Sequence, residues 1–291
     1  MKKLTMIALL ALLALAALGA SAQDEQGPAE QTEPVPMDPK DIVEGRGERE
    51  MVLIHGLGGN ADIWDDCLPY LKGTFKVWTF EMAGHGRTQP ITDPTINKEA
   101  ERLAAYLEEE GIAYPTLVGH ALGGMVALRY TIDHPADVSR LILLDAAPKQ
   151  LASEEQKAAV GQELANDYDR YVYSRFVNMT PNEEVTERIV DMALRTDSAT
   201  FISLLMSSFD FDVSDQLYSL PVPFLVVGSE LMFPSKDDSQ HMLEHYGFGK
   251  ARSLSFKRMG GTGHYMMLER PIYTASVLLA FGVTAEYQFD R

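Results

Sequence analysis

The sequence predicts a doubly wound, mostly parallel α/β sheet flanked by helices, with a helical lid inserted in its second half. Two observations predict the sheet. Short, near-continuous apolar runs stop at Gly- or Asp-bearing loops, as strands buried on both faces do, and stretches of helical periodicity separate them. A third predicts the lid: from Pro148 to about Asp215 the strand pattern lapses, and helical segments rich in Tyr, Met and Phe replace it. The 291 residues, 46 % of them hydrophobic, suit one such domain better than two.

The chain opens with a segment that belongs to no fold. Met1-Lys2-Lys3 is a positive start, Met6 to Leu18 an apolar run, and Ala20-Ser21-Ala22 a small-x-small cleavage site. Together residues 1–22 read as a secretory signal peptide, which predicts export to a bacterial periplasm or beyond. The apolar run is shorter than the roughly 20 residues a spanning helix needs, so no stable membrane span is expected after cleavage. Residues 23–45 read as an acidic, Pro- and Gln-bearing flexible linker, and residues 46–291 as the folded domain with its lid at about 148–215.

Within the domain, Met51 to Ile54 is a buried-strand pattern, Ala61 to Leu71 an amphipathic helix and Phe75 to Phe80 a second strand. A helix from about Ile96 to Glu110 leads to a strand at Thr116 to Val118, followed by a helix ending near Tyr130. Val138 to Leu144 is a continuous apolar strand ending at Asp145. After the lid, Pro223 to Gly228 and Ala251 to Met259 are strands, and Tyr273 to Phe281 is a closing helix.

The stretch with most chemical content is Gly119-His120-Ala121-Leu122-Gly123. It has the spacing of G-x-S-x-G, in which a strained strand-to-helix turn lifts a nucleophile above a parallel sheet. The lifted residue here is Ala121, which carries no nucleophile. The loop His55-Gly56-Leu57-Gly58-Gly59 lacks the lysine of a P-loop and the spaced glycines of a dinucleotide fingerprint, and suits instead a backbone N–H aimed at an oxyanion.

Composition excludes several classes of partner. The formal charge of −17, without any Lys/Arg cluster, argues against nucleic acid. Cys67 is the sole cysteine, so neither an intramolecular disulfide nor a cysteine-based zinc site is expected, and packing is its predicted role. His241 and His245 lie one helical turn apart, but no further ligands accompany them. No metal and no cofactor are predicted; the expected ligand is a small, apolar, ester-like molecule.

Four motifs in order carry a resemblance: VLIHGLGG at Val52 to Gly59, MAGHGRT at Met82 to Thr88, LVGHALGG at Leu117 to Gly124, and GTGHYMMLERP at Gly261 to Pro271. With them the chain resembles the α/β-hydrolase fold superfamily, particularly its small-lidded serine esterases, lactonases and carbon–carbon hydrolases. The resemblance implies Ala121 at the nucleophile position, His264 as the base, and the backbone N–H groups of Leu57 and Leu122 as oxyanion donors. It also exposes a second departure. Related sequences place the acid about three residues past Gly228, where this chain has Leu231. The haloalkane dehalogenases take it from the end of the preceding strand, which makes Asp145 the preferred candidate here. Glu230 is the alternative, with Asp237 and Asp238 behind it. His55, His85, His120 and His134 are expected to be structural. Tyr171, Tyr173, Phe201, Phe209 and Phe211 are candidates for lining a pocket or for packing the lid.

Three functional readings follow. The first is an exported hydrolase of carboxylic esters, lactones, thioesters or C–C bonds that lacks its nucleophile and is inactive or strongly impaired. The second is a ligand-binding homologue without catalysis. The third is an enzyme that uses His264 as a general base with no nucleophile, as a lyase or cofactor-free oxygenase does.

Overall fold

The computed structural model describes residues 47–283 together with the strand Ile42–Val43; the predicted signal peptide and most of the predicted linker lie outside the described residues. The elements run β1 (Ile42–Val43), β2 (Arg49–Ile54), α1 (Leu68–Leu71), β3 (Phe75–Phe80), α2 (Ile96–Glu109), β4 (Thr116–His120), α3 (Leu122–Asp133) and β5 (Arg140–Leu144). The lid follows as β6 (Lys149–Leu151), α4 (Glu154–Asn166), α5 (Tyr168–Phe176), α6 (Glu183–Arg195), α7 (Ser198–Phe209) and β7 (Asp210–Asp212). The chain closes with β8 (Phe224–Ser229), α8 (Ser239–His245), β9 (Leu254–Met259), α9 (Met266–Glu269) and α10 (Pro271–Val283).

The main sheet has the order β1-β3-β2-β4-β5-β8-β9 and is parallel except for β1, which pairs antiparallel with β3 at the edge. From β2 the chain steps outward to β3 and then crosses back to β4 on the other side of β2. The switch point therefore lies between β2 and β4, and in such sheets ligands bind outside the carboxyl ends of the strands there. The residues Met51 to Ile54, Leu117, Val118, Leu141 to Leu144 and Phe224 to Val227 are all buried, as strands covered by helices on both faces must be.

Local chemistry sets the helix ends. Thr95 caps α2 by accepting from Lys98 N–H, and Ser153 and Gln156 make a reciprocal capping box on α4. Asp197 caps α7 in the same way, accepting from Thr200 N–H at 2.8 Å.

Three elements differ from the sequence reading. The helix expected over Ala61 to Leu71 is a 3₁₀ turn at Ala61–Trp64 followed by the single turn of α1, with Pro69 near its start. The lid is not purely helical, because β6 and β7 pair as a short antiparallel ribbon at its base. Three residues per strand are too few for a period to show. Strand β1 falls inside the stretch read as linker.

The lid rests directly on the sheet domain. Asp197 N–H donates to Gly84 O at 2.9 Å, Ile96 N–H to Ser207 Oγ at 3.1 Å, and the Arg188 guanidinium to Asp62 O at 2.5 Å. Tyr171, Phe201, Phe209 and Phe211 are buried, and Phe201 packs edge-on against Tyr168 and beside Phe176. Those aromatics pack the lid, whereas Tyr173 faces solvent at 54 % exposure.

Candidate active site

Ala121 follows β4 and begins α3 with φ 48° and ψ −117°. An L-residue rarely adopts this region, and such strain costs of order 1–3 kcal/mol unless the surroundings impose it. Here they do. A Cβ at Gly119 would strike Gly124 Cα, and one at Gly123 would strike the His55 carbonyl oxygen, so both flanking positions admit only glycine. Ala121 N–H donates to Leu144 O at 2.9 Å, which ties the turn to β5. The methyl of Ala121 is held partly exposed at the apex.

The end of β5 and the loop after β9 bring together Asp145 and His264, the candidate acid and base. Asp145 directly follows β5, also at positive φ (45°), with its N–H on Val227 O at 2.9 Å. Its buried carboxylate accepts from three donors: Ser229 N–H at 2.6 Å, Ser229 Oγ–H at 2.5 Å and His264 Nδ1 at 3.0 Å. With Nδ1–H committed to Asp145, the bare nitrogen of His264 is Nε2, which has no partner among the described residues. The side chain of His264 is 19 % exposed. Its backbone N–H donates to Met179 O of the lid at 2.6 Å, and its carbonyl accepts from His120 Nε2 at 3.0 Å.

The other candidate acids lie elsewhere. Glu230 binds Gly261 N–H at 2.6 Å and Arg258 at 3.3 Å, so it braces the loop that carries His264. Asp238 sits at the start of α8, and Leu231 is 36 % exposed. Because Asp145 meets His264, Leu231 does not leave the histidine without a carboxylate partner.

The two loops beside the elbow are locked by histidines. His55, after β2, accepts Met82 N–H at Nε2 (3.1 Å) and donates Nδ1–H to Gly56 O (2.8 Å). His85, after β3, accepts Gly58 N–H at Nε2 (3.1 Å) and donates Nδ1–H to Ala83 O (2.8 Å). Each loop thus holds the other. Burial drives the His55 pKa down to about 4 and that of His85 to about 3, so both rings are neutral, as their acceptor role requires. His120 is likewise held well below its ordinary range by burial and by the adjacent His264. Buried Glu81 accepts from Ala61 N–H (3.0 Å) and Arg87 N–H (2.9 Å), fixing the outer end of the β3 loop.

The backbone N–H groups of Leu57 and Leu122 have no acceptor among the described residues. They lie on the loop after β2 and at the first turn of α3, on either side of Ala121; a Cβ at Gly56 would come within 3.1 Å of the Ala121 methyl. Lid residues close over this edge. A Cβ at Gly58 would meet Ala193 and Phe176 at 2.8 and 2.9 Å. A groove of about 570 Å³ between α2 and α3, lined by Asn97, Glu101, Arg129, Tyr130, Asp133 and His134, contains none of these groups. Among the described residues no cluster of three or more metal-ligating side chains occurs, and no helix is long and apolar enough to cross a membrane.

The sequence reading missed Ser229, whose two donors orient Asp145, and the reciprocal pairing of His55 with His85. A lone serine at a strand end carries no signal, and the histidine pairing exists only once two loops distant in sequence meet.

The family model described as the alpha/beta hydrolase family matches residues 51–277. The chain belongs to this family. Within the hydrolase family, its curated relatives include the pimeloyl-[acyl-carrier protein] methyl ester esterase of Edwardsiella ictaluri, 28 % identical over 196 residues that cover 62 % of this chain and 74 % of that protein. The protein of that name from Klebsiella pneumoniae is 27 % identical over 237 residues, 73 % of this chain and 89 % of its own. Among solved structures, the enol-lactonase of Burkholderia xenovorans superposes with TM-score 0.71 at 16 % identity, covering 82 % of this chain and 94 % of that one. A thermophilic esterase from Thermogutta terrifontis gives 0.72 at 19 %, covering 86 % and 98 %. The hydrolase-family chain is thus esterase-like in its relatives, and the solved structures match its fold.

Proposed function

We propose that this protein is an exported member of the family whose site is built for carboxylic-ester chemistry on a small, apolar ester or lactone, with the nucleophile position occupied by Ala121. The observation that carries this reading is the His264–Asp145 bond of 3.0 Å beside the unpartnered N–H groups of Leu57 and Leu122. A serine at position 121 would attack the carbonyl while His264 Nε2 took its proton. Asp145 would hold the ring in the Nδ1–H tautomer, and Leu57 and Leu122 would bind the oxyanion. With a methyl group at 121, the chain forms no acyl-enzyme. The esterase names of its curated relatives favour an ester over a C–C bond as substrate.

The test is the Ala121→Ser variant assayed on short-chain aryl esters and lactones. A gain of at least 10³-fold in kcat over the unmodified chain, with a burst of product, is the expected result. A folded variant with no turnover on any of these substrates would overturn the reading. The leader at residues 1–22 supports export, and a mature protein beginning at Gln23 in the periplasmic fraction checks it.

A further inference from the structure

The base of this site is assembled although position 121 offers it nothing to deprotonate. Removing the Asp145 carboxylate from water costs several kcal/mol, and the fold offsets that cost with three aligned donors, one of them His264 Nδ1–H. The consequence is a fixed Nε2 lone pair whose orientation does not depend on residue 121. Water can reach the Ala121 apex and the His264 ring, since both are partly exposed. A methyl in place of CH₂OH takes one oxygen atom away from the apex of the elbow, and the His264 ring lies 4.5 Å, centroid to centroid, from that of His120, the residue before the apex. Two unpartnered N–H groups, those of Leu57 and Leu122, sit on the elbow's flanks.

We propose that the unmodified chain hydrolyses esters by a single displacement in which water, not a side chain, is the nucleophile. This rests on the ester-site reading above and deepens it. Water stands at hydrogen-bond distance, about 2.8 Å, from His264 Nε2. Its oxygen attacks the ester carbonyl carbon as Nε2 takes one of its protons, and the carbonyl π pair moves to the oxygen held by Leu57 and Leu122. The tetrahedral intermediate collapses, the bond to the alkoxy oxygen breaks, and His264 returns the proton to the departing alcohol. One ester and one water give one acid and one alcohol, with the histidine neutral again and no covalent enzyme intermediate. His264 is a catalytic residue in this route, and Asp145 and Ser229 are positioning residues.

The experiment compares four purified mature proteins on p-nitrophenyl acetate and butyrate: the unmodified chain, Ala121→Gly, His264→Gln and Ala121→Ser. The unmodified chain is expected to show linear product formation without a burst, roughly 10⁵-fold above the uncatalysed rate, about 10³ from the oxyanion hole and binding and about 10² from the general base. Intact-mass measurement on quenched samples should show no acyl adduct. Ala121→Gly, which cannot be acylated either, should likewise show neither a burst nor an adduct. His264→Gln should lose about 100-fold of the unmodified chain's turnover while melting at a similar temperature. If His264→Gln fails to fold, Asp145→Asn takes its place, and a loss of activity with its pH profile displaced is then expected. Turnover equal in the unmodified chain and the His264 variant overturns the water route, as does an unmodified chain that is inert while Ala121→Ser is active. In that last case the ester-site reading survives alone. Inertness of all four proteins, each shown to be folded, removes both.

Discussion

Four histidines crowd the carboxyl ends of the central strands in two contacting pairs, and the pairs use the same ring in opposite ways. His55 and His85, with ring centroids 5.0 Å apart, spend all four nitrogens on backbone groups of two loops. His120 and His264, 4.5 Å apart, leave nitrogens over: among the described residues His120 Nδ1 is buried without a partner, and His264 Nε2 has none. A ring whose nitrogens are all saturated by backbone is a rivet. Only a ring with one nitrogen fixed and the other free can carry a proton between reacting groups, and His264 alone combines that with exposure.

The largest effect expected from this contrast is on the free side. In the Ala121→Ser background, Asp145→Asn should lower kcat by about 10⁴-fold, because the amide no longer selects the Nδ1–H tautomer. Glu230→Gln, which touches only the backbone of the loop, should stay within a few-fold. Equal losses in the two variants would show that the acid has been misassigned.

Acid should undo the riveted side first. The folded-state pKa values of His55 and His85 lie below the ordinary 6.5, so the unfolded chain binds more protons and stability falls as pH drops from 6.5 toward about 4 for His55 and about 3 for His85. The loss is on the order of 3 kcal/mol per ring. Urea midpoints at pH 7 and pH 4.5 measure it, and a pH-independent midpoint would contradict the neutral lock.

Replacing the rings separates the two uses further. His85→Phe strands the Gly58 N–H and should cost about 2 kcal/mol of stability, whereas His264→Gln, whose amide can still donate to Asp145, should change the melting temperature little. A similar drop in both would mean that His264, too, is mainly structural.

The smallest effect concerns the elbow itself. Ala121→Gly should raise stability by about 1 kcal/mol by releasing the positive-φ strain, less the entropy glycine adds to the unfolded chain. A destabilised glycine variant would show that the methyl makes packing contacts worth more than the strain it bears.

Much of this was legible in the sequence for a physical reason. Strands buried on both faces must be continuous apolar runs, and a chain that turns sharply at their ends leaves glycines at fixed offsets, so β2, β4, β5 and β8 and their loops stood out. Asp145 could be named only as one of several acids, because sequence order does not say that the ends of β5 and β8 are adjacent. Ser229 was invisible until Leu144 paired with Val227 and brought it to Asp145. The break between Ala61–Trp64 and α1 was missed because the buried positions Ile63, Trp64, Cys67, Leu68 and Leu71 keep helical spacing across it. The ribbon of β6 and β7 owes its pairing to the two ends of the lid meeting at its base, which no local pattern encodes.

The alanine at the apex of the elbow also decides how this protein would look to chemistry applied from outside. Fluorophosphonate tags mark hydrolases of this fold by letting a serine oxygen displace fluoride, and Ala121 has no oxygen to bond to phosphorus. In a proteome sorted by such tags, this chain would pass unlabelled although its fold matches that of solved esterases and lactonases. An inventory drawn up by covalent labelling therefore counts the serine, whereas one drawn up by backbone geometry counts the turn that would hold it.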